Sequence, residues 1–384
     1  MIDEARRLAP RFAARAAGYD RDGAFPADDF DDLRESGFFG LMAPAKLGGA
    51  GAGFAQYAEV AYELARGNGA TALVFNMHAS VTGALAGVTD ELADALGLPP
   101  AAMQARDDYL RAAASGSWYA VAMSERGAGS RLSQLTTSYE PIDGGYRIKG
   151  SKTFCSGAGH ATAYLVAARS ITDQSQVSQF LVPAGEGVRV EETWDALGMR
   201  ATGSHDVHVD VTVPAGALLG GVEGLALVVA QLAPQWMVAS YAAVYVGVAR
   251  AAVDAAIEHV NNRKLAHLPA IRSRIGRADA AVAAAKLAVL EAARRVDEAP
   301  GDPETNRWVW RAKLLAGTTA AEVAASMLEA AGTSAMRRGH PLERLYRDAR
   351  AGSLQPATSD VCADWLGVDA LGGDPDSEGS APRW

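Results

Sequence analysis

The chain has 384 residues, 49% of them hydrophobic and 21% charged, with a net charge of −9. An acidic chain gains little from counterion release at phosphate backbones, and no block of basic residues is present to hold an anionic lipid surface, so nucleic-acid and membrane binding are both disfavoured. The length predicts two or three packed units, and two cysteines, Cys155 and Cys362, make no disulfide framework, which points to a reducing, cytoplasmic compartment.

Residues 1–115 read as an N-terminal helical domain. Its charged start, Met1 to Pro10, has no apolar run of the kind a secretory signal needs. Asp28 to Leu33 opens a helix with acids in its first turn, which suits the helix dipole. Phe54 to Ala65 repeats apolar residues at helical spacing, and Val81 to Ala86 and Glu91 to Leu96 read as short helical pieces. Gly48 to Gly53 has neither a preceding strand nor the Lys-Ser/Thr pair of a phosphate loop, so it reads as a turn.

Residues 116–222 read as a middle β-domain, expected to be antiparallel. Trp118 to Met123, Leu135 to Glu140, Tyr146 to Lys149, Tyr164 to Ala168 and Gln179 to Pro183 are strand-like, with Gly144-Gly145 as a hairpin turn. Val207 to Val213 alternates cleanly, one face apolar. Residues 223–372 read as a helical bundle of about four helices, from the Ala-rich runs Tyr241 to Val260, Ala278 to Val296 and Arg311 to Ala331. Gly224 to Ala249 is uncharged and long enough to span a bilayer, but Pro234 breaks it, so it reads as a turn followed by a buried helix. Asp297 to Glu304 is a loop, and residues 373–384 read as a disordered tail. There is no internal repeat.

Zinc-type Cys/His spacing is absent, and Ser204-His205-Asp206 alternate faces at a strand edge, so they cannot form a triad together. Two segments carry more information. In Ser124-Glu125-Arg126-Gly127-Ala128-Gly129-Ser130, at a strand end, small residues let backbone amides approach an anionic or carbonyl-bearing ligand, with Ser124 and Ser130 adding hydroxyls. In Lys152-Thr153-Phe154-Cys155-Ser156-Gly157, an aromatic precedes a hydroxyl by two residues, a pattern that covers a flat ring and bonds its edge, or is an ordinary core Phe.

These segments, SERGAGS and DGGYRIKGSKTFCSGAG, stand in order with LGMRATGSHDVHVDVTVPAGALLG and LERLYRDAR. Together they resemble the flavin-dependent acyl-CoA dehydrogenase superfamily over nearly the whole chain, to about Gly372. The resemblance implies an α+β fold with an N-terminal helical domain, a middle β-barrel-like domain and a C-terminal four-helix bundle. It implies a homotetramer or homodimer with FAD, or alternatively FMN, between the domains. Ser124, Gly129 and Ser130 fall where the family contacts flavin and substrate. Phe154 and Ser156 match the pair that packs on the flavin ring and bonds near its N5. Arg263 matches an arginine that reaches the FAD pyrophosphate of a neighbouring subunit, although Ala266-His267 replace the Phe-Gly pair that usually follows it.

The family's dehydrogenases need a carboxylate base within reach of the substrate α-proton. Aligned without gaps, the usual glutamate position holds Pro356, preceded by Gln355, and the alternative position on a bundle helix falls at Gln235, Trp236 or Met237. Asp360, four residues beyond Pro356, is the nearest acid, about one helical turn away. The empty position favours the monooxygenase branch, whose members take reduced flavin from a separate reductase and hydroxylate small organic substrates. There His78 and His205 are candidate polar neighbours of the flavin. Two other readings stay open: an acyl-CoA or acyl-carrier-protein dehydrogenase with a relocated base, and a non-catalytic flavin-fold scaffold.

Overall fold

The computed structural model describes residues 1–375; the tail read as disordered lies, from residue 376 onward, outside them. The first part is helical: α1 (Ile2–Asp22), α2 (Ala27–Glu35), α3 (Phe54–Gly67), α4 (Gly69–Gly87), α5 (Asp90–Leu96) and α6 (Pro100–Ala114). The segment Val81 to Ala86 is therefore not a short piece but the end of the 19-residue α4. That helix is buried nearly all round, so its sequence shows no polar face from which a period could be read. It starts at Asn68, whose side chain accepts from the amide of Ala70.

The middle part is one seven-stranded sheet: β1 (Tyr119–Ala122), β2 (Ser138–Ile142), β3 (Gly145–Cys155), β4 (Ala163–Ser170), β5 (Val177–Pro183), β6 (Val188–Glu191) and β7 (His205–Pro214). The sheet is mixed rather than purely antiparallel, because β1 and β2 both run parallel to β4. Ile142 faces Gly145, so the hairpin turns at Asp143-Gly144, with Gly144 at φ 77°, one residue earlier than expected. In β7 the alternation holds: Val207, Val209, Val211 and Val213 all face the core.

The pairing of β3 with β7 carries the feature that matters most for function. Lys152 faces Val207, but Cys155 faces His205, so β3 holds one extra residue there. This bulge puts Phe154 at φ 57°, a conformation costly for a residue with a bulky side chain. The ring is turned out of the sheet and stays 62% exposed, whereas Cys155 beside it is fully buried.

The last part comprises α7 (Leu225–Leu232), α8 (Ser240–Asn262), α9 (Pro269–Glu298), α10 (Pro303–Ala331), α11 (Pro341–Arg350) and α12 (Ser359–Ala370). Pro234 separates α7 from α8 as expected. The stretch Pro234–Asn262 is long and apolar enough to cross a membrane, but 72% of its most apolar window is buried inside the protein. The loop before α10 is shorter than expected, only residues 299–302. One hydrophobic core runs through all three parts. Cys155 and Cys362 are buried thiols.

Candidate functional site

The two informative segments are built side by side by a buried ion pair. Lys152 Nζ donates to Glu125 Oε1 at 2.8 Å and to the carbonyl of Met123 at 3.2 Å. The other Glu125 acceptor sites take the Thr136 amide and hydroxyl and the Thr137 amide. Burial pushes the Glu125 pKa up, but the Lys152 charge and these bonds outweigh it and bring it to about 2. Burial likewise pushes Lys152 below the ordinary lysine range. The Thr153 amide donates to the Ser124 carbonyl at 2.9 Å. The loop that follows closes on itself through mutual backbone bonds of Glu125 and Gly129, with Gly129 at φ 61°. Ser124, Gly129, Ser130 and the bulged Phe154 thus belong to one assembly.

Ser156 begins a chain of hydroxyls. Its Oγ lies 2.9 Å from Ser204 Oγ, which lies 2.6 Å from Thr202 Oγ1, which donates to the carbonyl of Met199 at 2.9 Å. The loop carrying them, residues 192–204, is clamped to the helical bundle. The amide of Met199 donates to Asp348 Oδ1 at 2.6 Å, and Arg347 on α11 donates to the Leu197 carbonyl at 3.0 Å. Gly198 passes so close to α11 that a Cβ there would lie 2.2 Å from the Arg347 carbonyl.

A flat aromatic cofactor fits this assembly. Phe154 presents an exposed ring at 6.1 Å and 88° from Trp194, and Leu197 adds 66%-exposed apolar surface from the same loop as Trp194. Ser156 follows Phe154 by two residues, and its hydroxyl is buried against Ser204.

The remaining candidates separate. His205 is half-buried; its Nδ1 accepts from the Trp194 amide at 3.1 Å, which leaves Nε2 for other partners. His160, which the sequence reading passed over although it follows directly on TFCSGAG, stacks on Phe25 at 4.0 Å between ring centres. Loss of water from its ring and the nearby His205 both hold its pKa below the ordinary imidazole range. Only the fold could bring Phe25, His160 and His205 together.

His78 is corrected from polar neighbour to core tie. It is buried, its Nε2 donates to the Phe39 carbonyl at 2.8 Å, and its Nδ1 accepts from the Tyr119 amide at 3.1 Å, so neither nitrogen is left for a ligand. Burial holds its pKa at about 4. The unfolded chain, with a histidine near 6.5, then binds more protons than the folded chain between those values. Stability is accordingly full above about pH 6.5 and is lost as pH falls toward about 4, by roughly 2–3 kcal/mol. Urea titrations at neutral and acidic pH check this, and His78→Gln should flatten the slope.

Asp360 is exposed in the first turn of α12, which is capped by Thr358. Pro356 precedes that helix, so the one-turn relation expected between the two does not exist. The loop around Pro356, where the resemblance puts a dehydrogenase's glutamate, is held by a buried lysine. Lys313 donates to the carbonyls of Gly352 and Gln355 at 2.9 and 3.0 Å, and burial lowers its pKa to about 8. Arg263 lies just past the end of α8, exposed. It is 15 residues beyond Val248, which like Met199 lies against Gly69, and at helical rise that is about 22 Å along α8.

Three family models match the chain: the acyl-CoA dehydrogenase N-terminal domain over residues 1–103, the middle domain over 120–212 and the C-terminal domain over 239–359. A putative acyl-CoA dehydrogenase, YdbM of Bacillus subtilis, is 28% identical, the match covering 96% of each chain. L-evernosamine nitrososynthase of a Micromonospora species is 32% identical over 98% of this chain and 91% of its own. The solved structure of FMN-bound TdsC from Paenibacillus sp. A11-2, a dibenzothiophene monooxygenase, has a TM-score of 0.84 at 26% identity and covers 97% of both chains.

Proposed function

The chain belongs to the acyl-CoA dehydrogenase superfamily, and from that premise we propose that it is a flavin-dependent monooxygenase of a small, polar organic substrate. One observation carries the choice of reaction: no buried carboxylate among the described residues is free to act as a base. Asp29 and Asp32 share Arg15, Glu63 holds Arg6 and Arg66, and Glu125 holds Lys152. Asp206 holds Arg126, and Asp348 holds the Met199 amide. The two positions where a base is expected carry Pro356 and the uncharged run from Gln235 to Met237.

FMN or FAD, bound in its reduced form, supplies the electrons that activate molecular oxygen. The chain supplies the rest. Phe154 covers the ring, Ser156 bonds its edge, and the Ser124 to Ser130 loop closes one side. His205, with Nε2 available, is positioned to hold or move a proton, with His160 beside it. Arg263 serves a neighbouring subunit of a homodimer or homotetramer. A separate reductase delivers the reduced flavin, in the cytoplasm. The three parts, 1–115, 116–222 and 223–372, meet around the cofactor.

Of the buried side-chain amide atoms without partners, we assign two to the substrate: Asn76 Nδ2 on α4 and Gln235 Oε1 ahead of α8. Ser80 stands between these elements: its Oγ lies 2.7 Å from the Asn76 carbonyl, to which its one proton goes, and 3.1 Å from the Trp236 carbonyl. A substrate offering both an acceptor and a donor satisfies the pair, and a plain acyl chain does not. The test supplies FMN, a reductase, NADH and a panel of thioethers, indoles and amino sugars. A product carrying one added oxygen, formed only when both reductase and oxygen are present, supports the reading. Enoyl thioester made from acyl-CoA without oxygen would overturn it in favour of the dehydrogenase that the likeness to YdbM suggests.

A further inference from the structure

We infer that the hydroxyl chain Ser156–Ser204–Thr202 makes this site select reduced over oxidised flavin. The inference rests on the flavin reading above and concerns the direction in which three protons point. All three side chains are buried: Ser156 is 7% exposed, Ser204 6% and Thr202 0%. A carbonyl oxygen can only accept, so the bond between Thr202 Oγ1 and the Met199 carbonyl, at 2.9 Å, uses the Thr202 proton. The Thr202 oxygen then serves as acceptor, and Ser204, at 2.6 Å, donates to it. The Ser204 oxygen in turn accepts from Ser156 at 2.9 Å. Each hydroxyl has one proton, so Ser156 has spent its own inward and shows only lone pairs at the ring edge.

The consequence is chemical. N5 of oxidised flavin is an acceptor and needs a donor, whereas N5 of reduced flavin carries a hydrogen and needs an acceptor. As anchored, Ser156 matches the reduced form. Serving the oxidised form requires all three hydroxyls to turn round, and the bond from Thr202 to Met199 is then lost. Met199 is a firm anchor. Its backbone is fixed by the bond from its amide to Asp348, and its carbonyl also takes the Trp194 indole and the Thr202 amide, both at 3.1 Å, so that only the hydroxyl's bond is lost on turning. Thr202 and Ser204 are therefore positioning residues that act through Ser156. The preference expected from one net hydrogen bond is roughly fivefold in the ratio of dissociation constants.

The experiment measures binding of FMN to the full-length protein twice, oxidised in air and reduced under anaerobic conditions. The wild type is compared with Thr202→Val, Ser204→Ala and Thr202→Ser. The wild type should bind the reduced form more tightly. Thr202→Val and Ser204→Ala should shrink that ratio roughly fivefold, equivalent to lowering the bound flavin's two-electron potential by about 20 mV. Thr202→Ser, which keeps the hydroxyl, should leave the ratio unchanged even if overall affinity falls. A merely structural role would weaken both forms alike. Equal binding of both forms by the wild type, or a ratio untouched by Thr202→Val, overturns the proposal. Failure of the wild type to bind either form removes instead the flavin reading beneath it.

Discussion

Lys152→Met is expected to cost about 3–5 kcal/mol of stability, because it leaves the Glu125 carboxylate buried and facing no cation. Lys152 is 1% exposed and Glu125 4%, so water cannot take the place of the missing ammonium. The pair joins the end of β1 to β3, and Glu125 also holds two backbone amides of the segment leading into β2. Its loss therefore loosens the frame beneath the Ser124 to Ser130 loop. Most of the cost is the stranded charge, so Lys152→Met combined with Glu125→Gln should recover a large part of it. Urea unfolding of the two variants decides the matter. A loss under about 1 kcal/mol for Lys152→Met would mean that the carboxylate finds other compensation.

Arg347→Ala is expected to cost a similar amount, about 3–5 kcal/mol, and to weaken flavin binding as well. Its guanidinium meets both oxygens of Asp20 at 2.9 and 2.6 Å, both of Glu343 at 2.7 and 3.0 Å, and the Leu197 carbonyl at 3.0 Å. One side chain thus pins α1, the 192–204 loop and α11 together. The flavin effect follows because that loop carries Met199, Thr202 and Ser204. Arg347→Lys should rescue little, since a single ammonium cannot reproduce a planar fork serving three partners. Thermal unfolding with and without FMN measures both effects. An Arg347→Ala variant of near-native stability would show that the three parts are held by apolar packing alone.

The division into helices, sheet and helices was legible because residue types change along the chain. Ala-rich runs flank a middle stretch rich in β-branched and aromatic residues, and Val207 to Val213 alternates as a half-buried strand must. The length of α4 was not legible, since a helix buried all round shows no amphipathic period. The site segments were visible as motifs, but the bulge that exposes Phe154 depends on the partner strand β7. The pairing of Lys152 with Glu125 was not legible, since nothing 27 residues apart in sequence announces a pair. His78 was drawn in by residue type, and Asp360 by its spacing of four residues from Pro356. The fold then gave both ring nitrogens of His78 to the backbone and set Asp360 in the exposed first turn of a separate helix.

Oxygen activation, not oxidation of a thioester, is the reaction proposed for this site. The most direct test is anaerobic. The protein is loaded with oxidised flavin, saturated acyl-CoAs of increasing chain length are added, and the flavin band near about 450 nm is followed. With every buried carboxylate among the described residues already engaged, none is left to remove the α-proton, and the band should persist with every thioester. Bleaching by any of them would show that a base reaches the substrate, and would make this chain an acyl-CoA dehydrogenase.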